Sequence, residues 1–175
     1  MATVAETWKA LSVNLSAAKQ AIGLPKFQHD ALLTLSLLDT ASLNETGLSL
    51  TAQATLKAEY RRLAYLGDYL IDAALADYLF SDYPRLTHEQ MDTLRQRISD
   101  RKSLCQFAIQ LGWPDYCTSR NRKNRRLPTE EAGTYGEMFE ALVAAIYLEY
   151  DRDFLQVYDW LVKNFLQSRV ERLMS

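Results

Sequence analysis

Apolar residues recur at intervals of three and four along nearly the whole of this chain, and no stretch alternates apolar with polar residues around a hairpin turn. That periodicity restricts the chain to helices packed on helices. The longest segment runs from about Thr51 to Phe80 and stops before Pro84. Shorter helices are expected over 3–22, ending near Gly23 and Pro25, and over 27–38, followed by a polar loop at 39–47. The next is expected over 88–98, where Thr87 and Gln90 have the spacing of a capping box. Another is expected over 102–111, closed by Gly112 just before Trp113-Pro114. Two more, over 135–149 and 152–173, end the chain. There is no internal repeat and no low-complexity linker, and 175 residues suffice for one sizeable core. The expected fold class is all-α, a single-domain helical bundle.

Two of these helices carry carboxylates inside apolar stretches. Asp68 interrupts Leu63-Ala64-Tyr65-Leu66-Gly67 and Tyr69-Leu70-Ile71, while Glu137 and Glu140 interrupt Met138-Phe139 and Ala141-Leu142-Val143-Ala144-Ala145-Ile146. An isolated buried carboxylate is costly and normally finds a partner or a metal. Residues three apart share a helix face, so Glu137 and Glu140 can point the same way. Asp68, from a second helix, would complete an all-oxygen cluster of the kind that suits a hard cation such as Mg²⁺. Each acid also has an ordinary reading. Asp68 could be a surface residue beside a kink at Gly67, Glu137 the N3 member of a capping box begun by Thr134, and Glu140 a surface ion-pair member.

The formal charge of −2 argues against a polyanion-binding protein until its distribution is considered. Arg120, Arg122, Lys123, Arg125 and Arg126 fall within seven residues, and removing their charge takes the remainder to −7. Local patches matter more to a polyanion than the total. Asn124 adds a neutral hydrogen-bonding group to the same segment, 118–133, the one long stretch without helical periodicity. Such runs are often only solvated surface. Here the run directly precedes the acidic helix, and a polyanion must be held beside acids that would otherwise repel it. Arg95, Arg97, Arg101 and Lys102 could extend the basic track. Cys105 and Cys117 are too few for a disulfide framework, and with only His29 and His88 a zinc site is not expected. No apolar run is long enough to span a bilayer and no signal pattern opens the chain, so a cytoplasmic protein is expected, with no membrane partner.

The two acidic stretches together resemble the ribonuclease III family. The stretch Arg61-Arg62-Leu63-Ala64-Tyr65-Leu66-Gly67-Asp68 is similar to the family's acid-Arg-Leu-acid-aromatic-Leu-Gly-Asp motif. Glu137-Met138-Phe139-Glu140-Ala141-Leu142 is similar to its later acid-x-x-Glu-Ala-Leu helix, and the resemblance runs from about residue 28 to 170. Ala64 and Arg61 depart from the classical pattern, which has acids at both places, and His88 with Glu89 falls where classical members have a further Glu. The Mini-III branch looks closer. It too lacks the acid at the Ala64 position, lacks a double-stranded-RNA-binding domain, and has an Arg/Asn-rich loop like Ser119-Arg120-Asn121-Arg122-Lys123-Asn124. The acid at Glu137 differs from that branch, which tends to have a small hydroxyl residue there.

The resemblance implies an endonuclease domain over 27–175, with residues 1–26 as an added N-terminal helix packed on it. It implies Mg²⁺-dependent hydrolysis of double-stranded or structured RNA, such as a ribosomal RNA precursor, leaving a 5′ phosphate and a 3′ hydroxyl. Asp68, Glu137 and Glu140 are then the metal-binding and catalytic residues, with Mn²⁺ able to replace Mg²⁺ and no small-molecule cofactor. Arg120, Arg122, Lys123, Asn124, Arg125 and Arg126 become the RNA-binding set. Tyr65, whose counterpart enters a pocket on a partner subunit, marks a homodimer interface with Leu66 and Tyr69. The competing reading is a catalytically inactive ribonuclease III fold that binds RNA or the ribosome, which Ala64 and Arg61 favour. A helical scaffold without nucleic acid is a third, which the basic run disfavours.

Overall fold

The computed structural model describes residues 13–117 and 132–175. Every regular element among them is helical: α1 (Leu15–Ala21), α2 (Asp30–Ser36), α3 (Leu50–Asp82), α4 (His88–Ile98), α5 (Arg101–Gln110), α6 (Ala132–Glu149), α7 (Phe154–Leu161) and α8 (Gln167–Met174). Short 3₁₀ turns at Ser42–Glu45 and Trp113–Asp115 and a π turn at Val162–Leu166 complete them. The bundle is all-α, as the periodicity requires. No described helix is long and apolar enough to cross a membrane.

The core is built around α6. Met138, Phe139 and every residue from Ala141 to Ile146 are fully buried, so the helix is apolar on all sides and must be surrounded. It packs most extensively on α3 and α5, and also meets α2 and α7. Ala141, Ala144 and Ala145 let these neighbours come close. On the α5 side the contact is aromatic: Phe107 lies 4.7 Å from Phe139 and 4.1 Å from Phe165, ring centre to ring centre, and Trp160 stacks on Phe139 at 6.2 Å.

Local signals set most boundaries. Thr87 and Gln90 form the expected capping box, with Gln90 N–H donating to Thr87 Oγ1 at 3.3 Å and Thr87 N–H to Gln90 Oε1 at 2.9 Å. Gly112 ends α5 in the left-handed region, φ 67°. Ser49 and Asp100 cap α3 and α5.

Three expectations are corrected. α2 begins at Asp30 rather than near 27, because Glu149 at the far end of α6 accepts the Gln28 and His29 N–H groups at 2.7 and 3.0 Å and holds that segment outside the helix. The expected last helix starts at Phe154, after a corner in which Asp151 and Arg152 both have positive φ. It is then interrupted by the π turn, where Asn164 Nδ2 donates to the Trp160 carbonyl at 2.8 Å. That turn shifts the helical register so that Phe165 and Leu166, adjacent in sequence, are both buried. Of the helix expected over 3–22, residues 3–12 lie outside the described residues, and α1 is its remainder. Ala18, Ile22 and Phe27 belong to the core, and the Ile22 carbonyl accepts from Trp160 Nε1 at 2.9 Å.

Candidate active site

Where α3 crosses α6 the two backbones touch. A Cβ added to Gly67 would lie 1.7 Å from the Glu140 carbonyl oxygen and 2.5 Å from its carbonyl carbon, so only glycine fits. Helix α3 runs through this point unbroken, and Gly67 marks a close approach of two backbones. The contact also sets the register of the site. Asp68 follows Gly67, and Glu140 owns the touched carbonyl, so the two half-buried carboxylates stand on facing helices at one level.

The electrostatics follow from that placement. Burial pushes the Glu140 carboxyl up to about 7, the charges of Asp68 and Glu137 push the same way, and Arg101 opposes them. Asp68 is raised by burial and by Asp72 one turn on, against the pull of Arg101 and Arg95. Among the described residues neither acid has an ion-pair partner at hydrogen-bond distance. Such a pair of carboxylates is relieved by a proton or by a cation.

Glu137 is half-buried one turn before Glu140. The capping box proposed for it with Thr134 is not formed, because α6 already starts at Ala132 and Thr134 lies inside it. Among the described residues no three His, Cys, Asp or Glu side chains are gathered closely enough to hold a metal ion. Asp68 and Glu140 lie within electrostatic reach of each other across the helix contact, and the charge of Glu137 acts on Glu140 as well. Ala64, one turn before Asp68, is buried and offers no polar atom.

The sequence alone misses or misplaces three participants. Arg101, on the basic track by its sequence position, acts with its charge on both Asp68 and Glu140. Gly136 and Gly133 explain how it gets there: a Cβ on Gly136 would lie 3.0 Å from the Arg101 carbonyl oxygen, and one on Gly133 4.0 Å from Nη1. The spacing Gly133-x-x-Gly136 was the available signal for that close approach. Arg95 is committed to Asp72 Oδ2 at 2.8 Å and Asp92 Oδ1 at 2.9 Å, and is not free to extend a basic track. Tyr60, two turns before Asp68, is 1% exposed with its Oη unpartnered.

Tyr65 and Tyr69 project from α3 at 66% and 60% exposure with ring centres 5.0 Å apart, and Leu66 is half-buried beside them. Leu70, next to Tyr69 in sequence, is buried in the chain's own core. An open cleft of about 770 Å³ beside Tyr65 is lined by Arg61, Arg62, Leu63, Leu148 and Arg152. Arg120, Arg122, Lys123, Asn124, Arg125 and Arg126 lie outside the described residues.

Comparison with known proteins decides the family. The Ribonuclease III domain family model matches residues 61–151, just over half of the chain and the whole of the α3–α6 site. The chain belongs to the ribonuclease III domain family. Among its relatives are Ribonuclease 3 of Chlorobium luteolum, 26% identical over 138 residues that cover 79% of this chain and 48% of that protein, and Ribonuclease 3 of Chlamydia felis, 28% identical over 125 residues that cover 70% and 49%. The ribonuclease III domain described here thus spans about half the length of the curated relatives it matches. Two solved structures of the nuclease domain of ribonuclease III from Campylobacter jejuni share its fold, with TM-scores of 0.67 and 0.66 at 21% identity. They cover 87% of this chain, which in turn covers 99% and 96% of theirs.

Proposed function

We propose that this chain is a divalent-metal-dependent endoribonuclease that hydrolyses double-stranded or structured RNA, with Mg²⁺ as its ion and Mn²⁺ as a substitute. One observation carries the reading: the Gly67–Glu140 contact sets two mutually repelling carboxylates, one from each acidic motif of the family, on facing helices. The donors are all oxygen, which fits a hard cation. Asp68 and Glu140 would hold it, with Glu137 as a third ligand and the remaining positions left to water and RNA phosphate. A divalent ion in this place supplies an activated water and neutralises charge developing on the phosphate. The chain's own residues do the rest. Arg101 offsets the acids' charge where the RNA backbone must approach, and the Arg95–Asp72 pair keeps a further carboxylate from adding its full repulsion to Asp68.

A second reading, an RNA-binding module without catalysis, is favoured by the apolar Ala64 and by the absence of a gathered three-acid group among the described residues. Labelled duplex RNA incubated with Mg²⁺ or with EDTA separates the two. We expect cleavage with Mg²⁺ alone; equal binding and no cleavage in both would establish the second reading.

Within the family we assign the chain to the Mini-III-like group, acting in the cytoplasm on a ribosomal RNA precursor. The lack of an acid at Ala64 and the Arg/Asn-rich segment before α6 support this. The segment is expected to hold RNA through phosphates, since duplex RNA is recognised by shape, phosphate and 2′-OH contacts. Replacing Arg122, Lys123 and Arg125 by Ala should weaken duplex binding across unrelated sequences. The log–log salt slope should flatten by about one unit per lost contact. An unchanged slope would leave the run as solvated surface.

A homodimer through Tyr65, Leu66 and Tyr69 is the expected assembly. The two exposed rings are a large apolar area to leave in water, and a twofold axis would present one acidic site to each strand of a duplex. Sedimentation at micromolar concentration should give about twice the chain mass of 20.1 kDa. A monomer would remove the interface and the paired-site geometry together.

A further inference from the structure

Two tyrosines are buried on α3, and they are served differently. Tyr78 reaches the Tyr83 hydroxyl at 3.5 Å. Tyr60 is 1% exposed, and its Oη has no hydrogen-bond partner. Buried polar groups are nearly always paired, and an exception needs a reason. The position of Tyr60 supplies one. Tyr60, Ala64 and Asp68 follow at steps of four on one face of α3, and the Gly67–Glu140 contact holds that face against α6. Ala64 contributes no polar atom, which leaves Tyr60 as the buried donor next to Asp68 along this face. Burial, and then the charges of Glu137, Glu140 and Asp39, keep the phenol protonated. Its buried O–H is thus a donor without an acceptor, within electrostatic reach of those acids.

We propose that Tyr60 is a positioning residue of the carboxylate site, its buried hydroxyl donating to the Glu137 carboxylate when Asp68, Glu137 and Glu140 close on a divalent cation. The inference rests on the metal-dependent reading above. It accounts for a buried donor without an acceptor beside a set of carboxylates. Donors behind a metal ligand fix its orientation, and their loss usually weakens metal binding by about 10-fold to 100-fold.

The test is Mn²⁺ binding by the full chain, followed by calorimetry or electron paramagnetic resonance, beside thermal melts without cation. Tyr60→Phe should weaken Mn²⁺ binding by roughly 10-fold to 100-fold and leave the cation-free melting temperature unchanged or higher. In a Glu137→Gln background it should add little, because the two act as a unit. A Tyr60→Phe titration that superimposes on the wild type overturns the proposal, as does a loss that adds fully to that of Glu137→Gln. A lowered cation-free melting temperature also overturns it, since the hydroxyl would then already serve the fold. The site reading and this inference fail separately. If the wild type binds Mn²⁺ and Asp68→Asn does not, while Tyr60→Phe binds normally, only the role of Tyr60 is lost. If the wild type binds no Mn²⁺, both are lost.

Discussion

Asp68→Asn and Glu140→Gln are each expected to abolish Mg²⁺-dependent cleavage of duplex RNA while leaving RNA binding and helical content unchanged. Each keeps the shape of its side chain and removes the charge that would hold a cation. Glu137→Gln should give a partial loss. The decisive companion measurement is stability without cation. Folding raises the Glu140 carboxyl to about 7, so between roughly pH 4.5 and 7 the folded chain binds more protons than the unfolded chain. Stability must then fall as pH rises through that window. With discounting for partial solvent exposure, the loss is on the order of 2 kcal/mol, or about 4–8 °C in Tm. Glu140→Gln carries no titrating group and should show a flatter profile, ending above the wild type at pH 8. In Asp68→Asn the profile should persist but move to lower pH, because one of the charges raising Glu140 is gone. If instead both variants melt far below the wild type and still cleave, the acids are structural partners and the catalytic assignment fails.

Gly67→Ala is expected to be the most damaging single-methyl change in the chain. The added Cβ meets backbone, not a side chain that could rotate away, so α3 and α6 must separate. Overpacking costs typically 1–3 kcal/mol where side chains can yield. Here at least about 3 kcal/mol is expected, a fall in Tm of roughly 6–12 °C. Gly136→Ala should cost less, since its contact with Arg101 is at 3.0 Å. Gly23→Ala meets no atom within 4 Å and should lose only the roughly 1 kcal/mol that its positive φ demands. Melting temperatures of the three variants should fall in that order. A Gly67→Ala protein as stable as Gly23→Ala would mean that the helices are not in contact there, and would remove the physical basis for pairing Asp68 with Glu140.

The helices were legible in the sequence because their signals are local. The Thr87–Gln90 box, the left-handed Gly112 and the period of α3 each involve residues within a few positions of one another. Asp68 and Glu140 were legible as anomalies, carboxylates where the pattern demanded apolar groups. What joins them was not, since the Gly67–Glu140 contact spans more than seventy residues. Arg95 and Arg101 looked alike in sequence; only packing commits the first to Asp72 and turns the second toward the acids. The π turn was hidden for a similar reason. It places its own Phe165 against Phe107 of α5, a partner nearly sixty residues away that no local pattern announces.

Glu149 draws a final consequence from α6. Burial pushes its carboxyl upward, but the N–H groups of His29 and Gln28 and the His29 ring outweigh that and hold it below the ordinary range. One helix thus carries, at its middle, a glutamate raised by burial and by the charges of its neighbours and, at its C-terminal end, a glutamate supplied with three donors. Their responses to acid are opposite. Lowering the pH relaxes the Glu140 site by protonation. At the C-terminal end it removes a stabilising charge as pH falls through the Glu149 value, freeing the chain ahead of α2. The protein is in this sense electrically polarised along its central helix. Acid should loosen the anchoring of the N-terminal segment while easing the strain in the pair of acids, so that unfolding in acid begins at the end of α6 remote from them.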